Sequence, residues 1–269
     1  MSLVSVQHLA RRVALISFNN AKKLNPMTEQ LGRELAAAFS SLDPNTSSAV
    51  VLTGEGGNFS AGGDLDFLRA RAAARVEENI DTMVAFYTLF LAPLRACPVP
   101  VIAAVSGACV GAGAALATAC DMRAVSPSSR VGFTFTSGVA IHPGMGSTHF
   151  LPRVIGPAHA ARLLLTGEMT TGAAMAGMGW GIEAAADGSG PEPALARAID
   201  LAERAAAAAP LAVRETLATL RAAGDEGLER ALQREAEAQA KCYAGPDFLR
   251  GVEAVASKQR PVWGQYGDK

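Results

Sequence analysis

The spacing of apolar positions changes several times along the chain, and each change marks an expected element. RRVALISF at 11–18 is a short aliphatic run that predicts a strand. After Pro26, Leu31, Leu35, Phe39 and Leu42 recur at helical spacing over 28–42, with Thr28 placed to cap the helix. AVVLT at 49–53, bounded by Gly54, predicts a buried strand, and after GEGGNFSAGGD a helix is expected from Asp64. Residues 77–96 carry a long apolar helical pattern stopped by Cys97-Pro98-Val99-Pro100. VIAAV at 101–105 predicts another strand. Small residues then lead into a helix over 112–120, with short strands expected at 122–125 and 131–135. From about 147 the pattern is mostly helical. The segment 192–257 is rich in Ala, Leu, Arg and Glu and is punctuated by Pro210, Gly224, Gly227 and Gly245-Pro246. Strands alternating with helices, then a helical part, predict an α/β fold.

Composition narrows the function classes. The 269 residues are 49% hydrophobic, enough for one large domain, and the net charge of -1 points to neither nucleic acid nor an anionic membrane as a partner. Cys97, Cys109, Cys120 and Cys242 form no CxxC pair and read as reduced core thiols, consistent with a cytoplasmic protein. His8, His142, His149 and His159 show no metal-ligand spacing, so no metal site is expected. No apolar stretch is long enough to span a membrane, and the opening residues, with Arg11 and Arg12 in their midst, do not read as a secretory signal.

Two strand exits share one design. Val50-Val51-Leu52-Thr53 runs into a loop ending at Gly62-Gly63, then a helix; Val101–Val105 runs into Gly107, then Gly111-Ala112-Gly113, then a helix. Each leaves a backbone N–H unobstructed near a helix N-terminus, where negative charge is favoured. Each alone also reads as an ordinary tight turn. Two such donors converging would form an oxyanion hole.

In order and spacing, AVVLTGEGGNFSAGGDLDFL followed by PVPVIAAVSGACVGAGAALATACDMRAVS resembles the enoyl-CoA hydratase/isomerase (crotonase) family. The resemblance runs from Lys22-Lys23-Leu24-Asn25-Pro26 through HPGMGSTHFLPRVIG and ARLLLTGEMTTGAAMAGMGW to GVEAVASKQRPVW. It implies a spiral of ββα turns over 1–195 and a helical trimerisation region over 196–269, giving a homotrimer or a dimer of trimers. It implies acyl-CoA as substrate, with coenzyme A part of the substrate and no separate cofactor. The backbone N–H groups of Gly63 and Ala112 would stabilise a thioester enolate. Ala61 would meet the adenine, Lys22 a phosphate, and Lys258 the nucleotide of a neighbouring subunit, unless either lysine is simply a solvated charge.

The chain departs from the family where hydratases carry two glutamates. The first position, three residues after the second donor and so on the same helix face, is Ala115. The second falls on Thr136 counting back from Ala140-Ile141-His142-Pro143, or on Phe135 counting forward from Val131-Gly132. No Asp or Glu occurs between Asp121 and Glu168. General acid–base groups typically contribute about 10²–10⁴-fold each, so ordinary hydration should be impaired. His142, Thr134, Thr136, Ser137 and Tyr87 remain as polar candidates near the acyl group; for His142 the alternative is a turn histidine bonded to backbone. His149, Asp64 and Asp121 read as structural, Asp64 as a helix cap. Three functions stay open: atypical enolate chemistry such as decarboxylation, weak hydration assisted by His142, and non-catalytic acyl-CoA binding.

Overall fold

The computed structural model describes residues 2–184 and 193–263. The chain opens with β1 (Val4–His8) antiparallel to β2 (Val13–Phe18). The expected strand at 11–18 starts only at Val13, because Arg11 and Arg12 take left-handed conformations (φ 54° and 62°) in a 3-10 turn. Helix α1 (Glu29–Ser40) begins as predicted: the Thr28 hydroxyl accepts from the Leu31 N–H at 3.1 Å. β3 (Ala49–Gly54), α2 (Leu65–Ala73), α3 (Val76–Ala96), β4 (Val101–Val105), β5 (Ala108–Val110), α4 (Ala112–Ala119) and β6 (Met122–Val125) follow. From β2 onward the main sheet is parallel, in the order β1-β2-β3-β4-β6-β9, with β9 at Ile182–Glu183.

The middle strands have helices on both faces, which explains their unbroken apolar runs. Ala14, Ile16, Val50, Leu52, Val101 and Ala103 face one core with residues of α1, α3 and α4. Val13, Leu15, Ala49, Val51, Ile102 and Ala104 face Ala198 and Ala202 of α9 (Pro193–Ala207). The expected boundary at 195/196 therefore lies inside a helix that packs on the sheet.

A smaller sheet pairs β5 with β7 (Arg130–Gly132) in parallel and β7 with β8 (Met169–Thr171) antiparallel. The expected strand at 131–135 is thus shorter. β5 and β8 each offer only three partners, so pairing stops at Gly132, and Phe135–Val139 forms helix α5 instead. Helices α6 (Ser147–Ile155), α7 (Pro157–Thr166) and α8 (Gly172–Gly177) complete this part. α10 (Pro210–Asp225), α11 (Leu228–Tyr243) and α12 (Pro246–Ala256) break where Pro210, Gly227 and Pro246 predict. Asp121 serves the fold as expected: it accepts from the Val101 N–H at 2.8 Å and pairs with Arg221 of α10 at 2.6 Å.

Helix α11 returns to the core and lies along α3. Its buried Glu235 accepts from the N–H groups of Gly146 (2.7 Å) and Thr148 (2.8 Å) and from the Thr148 hydroxyl, so it caps α6. Burial raises this carboxyl from 4.5 to about 7, against the lowering effect of those bonds.

Two predictions concern the fold. A Cβ at Gly113 would stand 2.7 Å from the Ser60 Cβ and 3.0 Å from the Ser60 carbonyl oxygen. Gly113→Ala should therefore destabilise the protein by about 1–3 kcal/mol, read from denaturant midpoints. Because Glu235 holds its proton more tightly folded than unfolded, its contribution is complete below about 4.5 and is lost as pH rises towards about 7. The stability advantage of wild type over Glu235→Ala should shrink across that window; an unchanged difference would show that the group does not titrate there.

Candidate active site

The two glycine-rich exits lie side by side. The Val110 N–H donates to the Ser60 carbonyl at 2.9 Å, and Ser60 and Cys109 form a parallel bridge. The buried Ser60 hydroxyl donates to the Asn25 carbonyl at 2.7 Å and accepts from the Gly62 N–H at 3.1 Å. Gly62 has φ 101°, a conformation glycine adopts without strain, and a Cβ there would sit 2.9 Å from the Val110 carbonyl oxygen. Small residues thus allow the backbones themselves to meet. Gly111 caps α4, which places Ala112 in its first turn, where an N–H has no intrahelical acceptor. Among the described residues, neither the Gly63 nor the Ala112 N–H has a hydrogen-bond partner. Both residues line one cavity of about 460 Å³.

Aromatic and aliphatic side chains make up much of the cavity wall, including Phe67, Phe86, Met83, Phe135, Val139 and Ile141. The carboxylates on it are Asp64 and Asp66. Asp64 caps α2, accepting from the Phe67 N–H at 2.9 Å, as expected; Asp66 pairs with Arg69 and stands largely in solvent. Ala115 is fully buried within α4 and does not line the cavity. Phe135 does line it, whereas Thr136 turns away and donates to the Leu164 carbonyl at 3.1 Å. Of the two counts made for that position, the forward one meets the cavity.

His142 lies elsewhere. It lines a second cavity, of about 560 Å³, with Thr136, Thr148, Leu164 and Leu165. Its Nδ1 bonds the Pro143 carbonyl at 2.6 Å, and burial, with Arg234 adding, lowers its pKa despite that bond. The imidazole is therefore neutral near pH 7 and apart from the Gly63 and Ala112 donors. His149 bonds the Gly224 carbonyl at 2.8 Å, linking α6 to α10.

At the mouth, Ala61 lines the cavity, its N–H donated to the Leu24 carbonyl at 2.9 Å. Lys22 is exposed on a 3-10 turn and off the wall; its neighbour Lys23 is on it. Lys258 is exposed just beyond α12, whose Val255 reaches the cavity.

Thr134, one of the expected polar candidates, lines the cavity, and so do three buried polar side chains, Tyr87, Gln239 and Tyr243. Tyr87 of α3 was expected there; Gln239 and Tyr243 of α11 were not. The Tyr87 hydroxyl donates to Gln239 Oε1 at 2.7 Å, the Tyr243 hydroxyl to the same oxygen at 2.9 Å, and Gln239 Nε2 donates to the His142 carbonyl at 2.7 Å. Burial raises both phenols well above their usual range, so both are neutral. Glu235, Gln239 and Tyr243, each four apart, put polar groups beside Leu232, Ala236 and Ala240 on the buried face of a helix that is otherwise strongly charged, a spacing visible in the sequence.

The chain resembles known proteins over nearly its whole length. A family profile for enoyl-CoA hydratase/isomerase matches residues 9–266. A probable enoyl-CoA hydratase, EchA14, of Mycobacterium tuberculosis is 35% identical over 253 residues, 91% of this chain and 94% of that one. The crystal structure of a putative enoyl-CoA hydratase from Streptomyces coelicolor A3(2) superposes with a TM-score of 0.73 at 32% identity, covering 97% and 94% of the two chains. The fold alone is shared with the ECH2 decarboxylase domain of CurF from Lyngbya majuscula, with a TM-score of 0.79 at 20% identity over 95% and 100% of the chains. By the extent of the profile match and the identity to its relatives, this protein belongs to the enoyl-CoA hydratase/isomerase family.

Proposed function

We propose that this protein binds a coenzyme A thioester, seats its carbonyl oxygen between the N–H groups of Gly63 and Ala112, and stabilises the enolate that forms there. Membership of the family supports the thioester, and two unpartnered donors in one apolar cavity support the enolate. The Ala112 donor also sits at the positive end of α4.

The observation that supports this choice of reaction is what the cavity wall presents besides these donors. It offers two neutral phenols, an amide and the Thr134 hydroxyl, with no imidazole among the described residues; its carboxylates cap a helix or pair with arginine at the mouth, where Lys23 also stands. Such a site is poorly equipped to deliver and activate water, and His142, in the second cavity, does not make up for this. It suits a substrate that supplies its own electron pair. In a malonyl-type thioester the bond to the carboxylate carbon breaks, CO₂ leaves, and the pair moves into the enolate oxygen held by Gly63 and Ala112. A proton from solvent then returns to the α-carbon. Apolar surroundings disfavour the carboxylate relative to neutral CO₂, which works in the same direction. Ala61 and Lys23, both on the cavity wall, would meet the coenzyme A portion.

Two measurements test this reading. Purified protein is mixed with malonyl-, methylmalonyl- and crotonyl-CoA, and products are followed by mass spectrometry; CO₂ loss from the malonyl-type substrates should outpace hydration of crotonyl-CoA. Hydration at an ordinary family rate would refute the reaction assignment, and thioester binding without any turnover would favour a binding protein. Ala112→Pro removes one donor at a first-turn position that proline tolerates. It should lower kcat by about 10²–10³-fold, corresponding to about 2.7–4 kcal/mol, in a protein that still folds. Unchanged turnover would remove Ala112 from the mechanism.

A further inference from the structure

The polar cluster on the buried side of the cavity has a determined hydrogen-bond polarity. His142 offers Gln239 a carbonyl, which only accepts, so the amide nitrogen must face it. The amide oxygen therefore faces the two tyrosines. That oxygen only accepts, so Tyr87 directs its single proton to it at 2.7 Å; Tyr243 directs its own to it at 2.9 Å in preference to the weaker acceptor Met83 Sδ at 3.3 Å. Both lone pairs of Gln239 Oε1 are then used. The cluster is left with acceptor capacity on two phenol oxygens and with the second N–H of Gln239, for which the described residues provide no partner. These groups line the same cavity as Gly63 and Ala112, yet Tyr87 is only 1% exposed and Gln239 and Tyr243 are 2% and 2% exposed.

Purely structural stapling of α11 to α3 needs no unsatisfied donor on an apolar cavity wall, where an unpaired polar group costs free energy. A ligand hydroxyl answers both halves of the leftover capacity: its proton goes to a phenol oxygen, and its oxygen accepts from Gln239. A carboxylate does not. It carries no proton to give, and among the described residues the cations nearby are off the cluster: Arg71, which acts on Tyr243, is stacked on the Phe67 ring and does not line the cavity, and Lys23 is at the mouth. Turning the phenol protons towards a carboxylate would strip Gln239 Oε1 of its donors. A plain alkyl chain leaves the N–H unpaired.

We propose that Tyr87, Gln239 and Tyr243 form a specificity subsite that selects acyl groups bearing a neutral hydroxyl on the part of the chain away from the thioester. Tyr87 and Tyr243 contact the hydroxyl; Gln239 both contacts it and fixes the phenol protons. This subsite rests on the reading above that the cavity takes a coenzyme A thioester, and it names the class of acyl group that reading leaves open. The aromatic wall of Phe67, Phe86 and Phe135 would hold the carbon skeleton.

The test is equilibrium binding, by calorimetry, of hexanoyl-CoA, its singly hydroxylated isomers and adipyl-CoA. At least one hydroxylated isomer should bind roughly tenfold or more tightly than hexanoyl-CoA, because a site built around hydrogen-bonding groups discriminates against ligands that leave them unpaired. In Tyr87→Phe and in Tyr243→Phe, which keep the rings, the ratio of the two affinities should fall towards unity. A structural role would move both affinities together and leave their ratio intact, and that result overturns the proposal. So does a wild-type preference for hexanoyl-CoA over every hydroxylated isomer, or tightest binding of adipyl-CoA. If no thioester binds, the earlier reading of the cavity fails as well; thioester binding without hydroxyl preference overturns the subsite alone.

Discussion

Everything in the candidate site depends on the contact between two strand exits, the loop at 60–63 and the turn at 110–113. Ser60 is its centre. Its hydroxyl joins the Asn25 carbonyl to the Gly62 N–H, its carbonyl holds Val110, and its Cβ occupies the space a side chain at 113 would need. Because Gly62 and Gly113 have no Cβ, the backbones can approach closely enough to place Gly63 and Ala112 on one cavity wall. Their N–H groups stay free for a reason of geometry. Gly62 spends its donor on Ser60 and Asp64 on Met27, while Ala112 begins a helix. This arrangement assigns partners to the neighbours and leaves these two without.

The other side of the cavity is supplied by a helix distant in sequence. Along α11, Glu235 caps α6, Gln239 grips the carbonyl of His142, and Tyr243 reaches the same amide from one turn further on. One helix face therefore stitches the 142–148 segment to the cavity wall. Tyr87 closes the set from α3, with its hydroxyl against the position a Cβ at Gly144 would take. The helical C-terminal part thus contributes directly to the cavity.

The chemistry proposed for the cavity follows from what burial does to charge. Inside, phenols stay protonated and the amide is neutral; carboxylates stay at the rim, where helix N-termini and arginines compensate them. Such a wall offers hydrogen bonds of defined direction and no strong base. Enolate formation without a protein base and recognition of a neutral hydroxyl both fit that one property.

Much of this was legible in the chain itself. The buried strands at 49–53 and 101–105, the Thr28 and Asp64 caps, the helix over 77–96 and the breaks at Pro210, Gly227 and Pro246 all follow from local pattern, because period, capping and backbone restriction act over a few residues. The two glycine-rich exits were visible for the same reason. The short strands β5 and β8 were not, since three-residue strands exist only through their partners. Local counting left Phe135 and Thr136 as equal candidates; the turn into α5 puts the first on the cavity and the second against Leu164. His142 is close in sequence to cavity residues but faces a different space. Gln239 and Tyr243 join Tyr87 only after about 150 intervening residues have folded, as separations of 152 and 160 residues in their contacts with α3 record. Sequence alone determined the longer helices and buried strands, the caps and the two bare strand exits, all products of short-range sterics and hydrogen bonding. Which side chains share a cavity was decided by tertiary packing, because that depends on where distant helices come to rest.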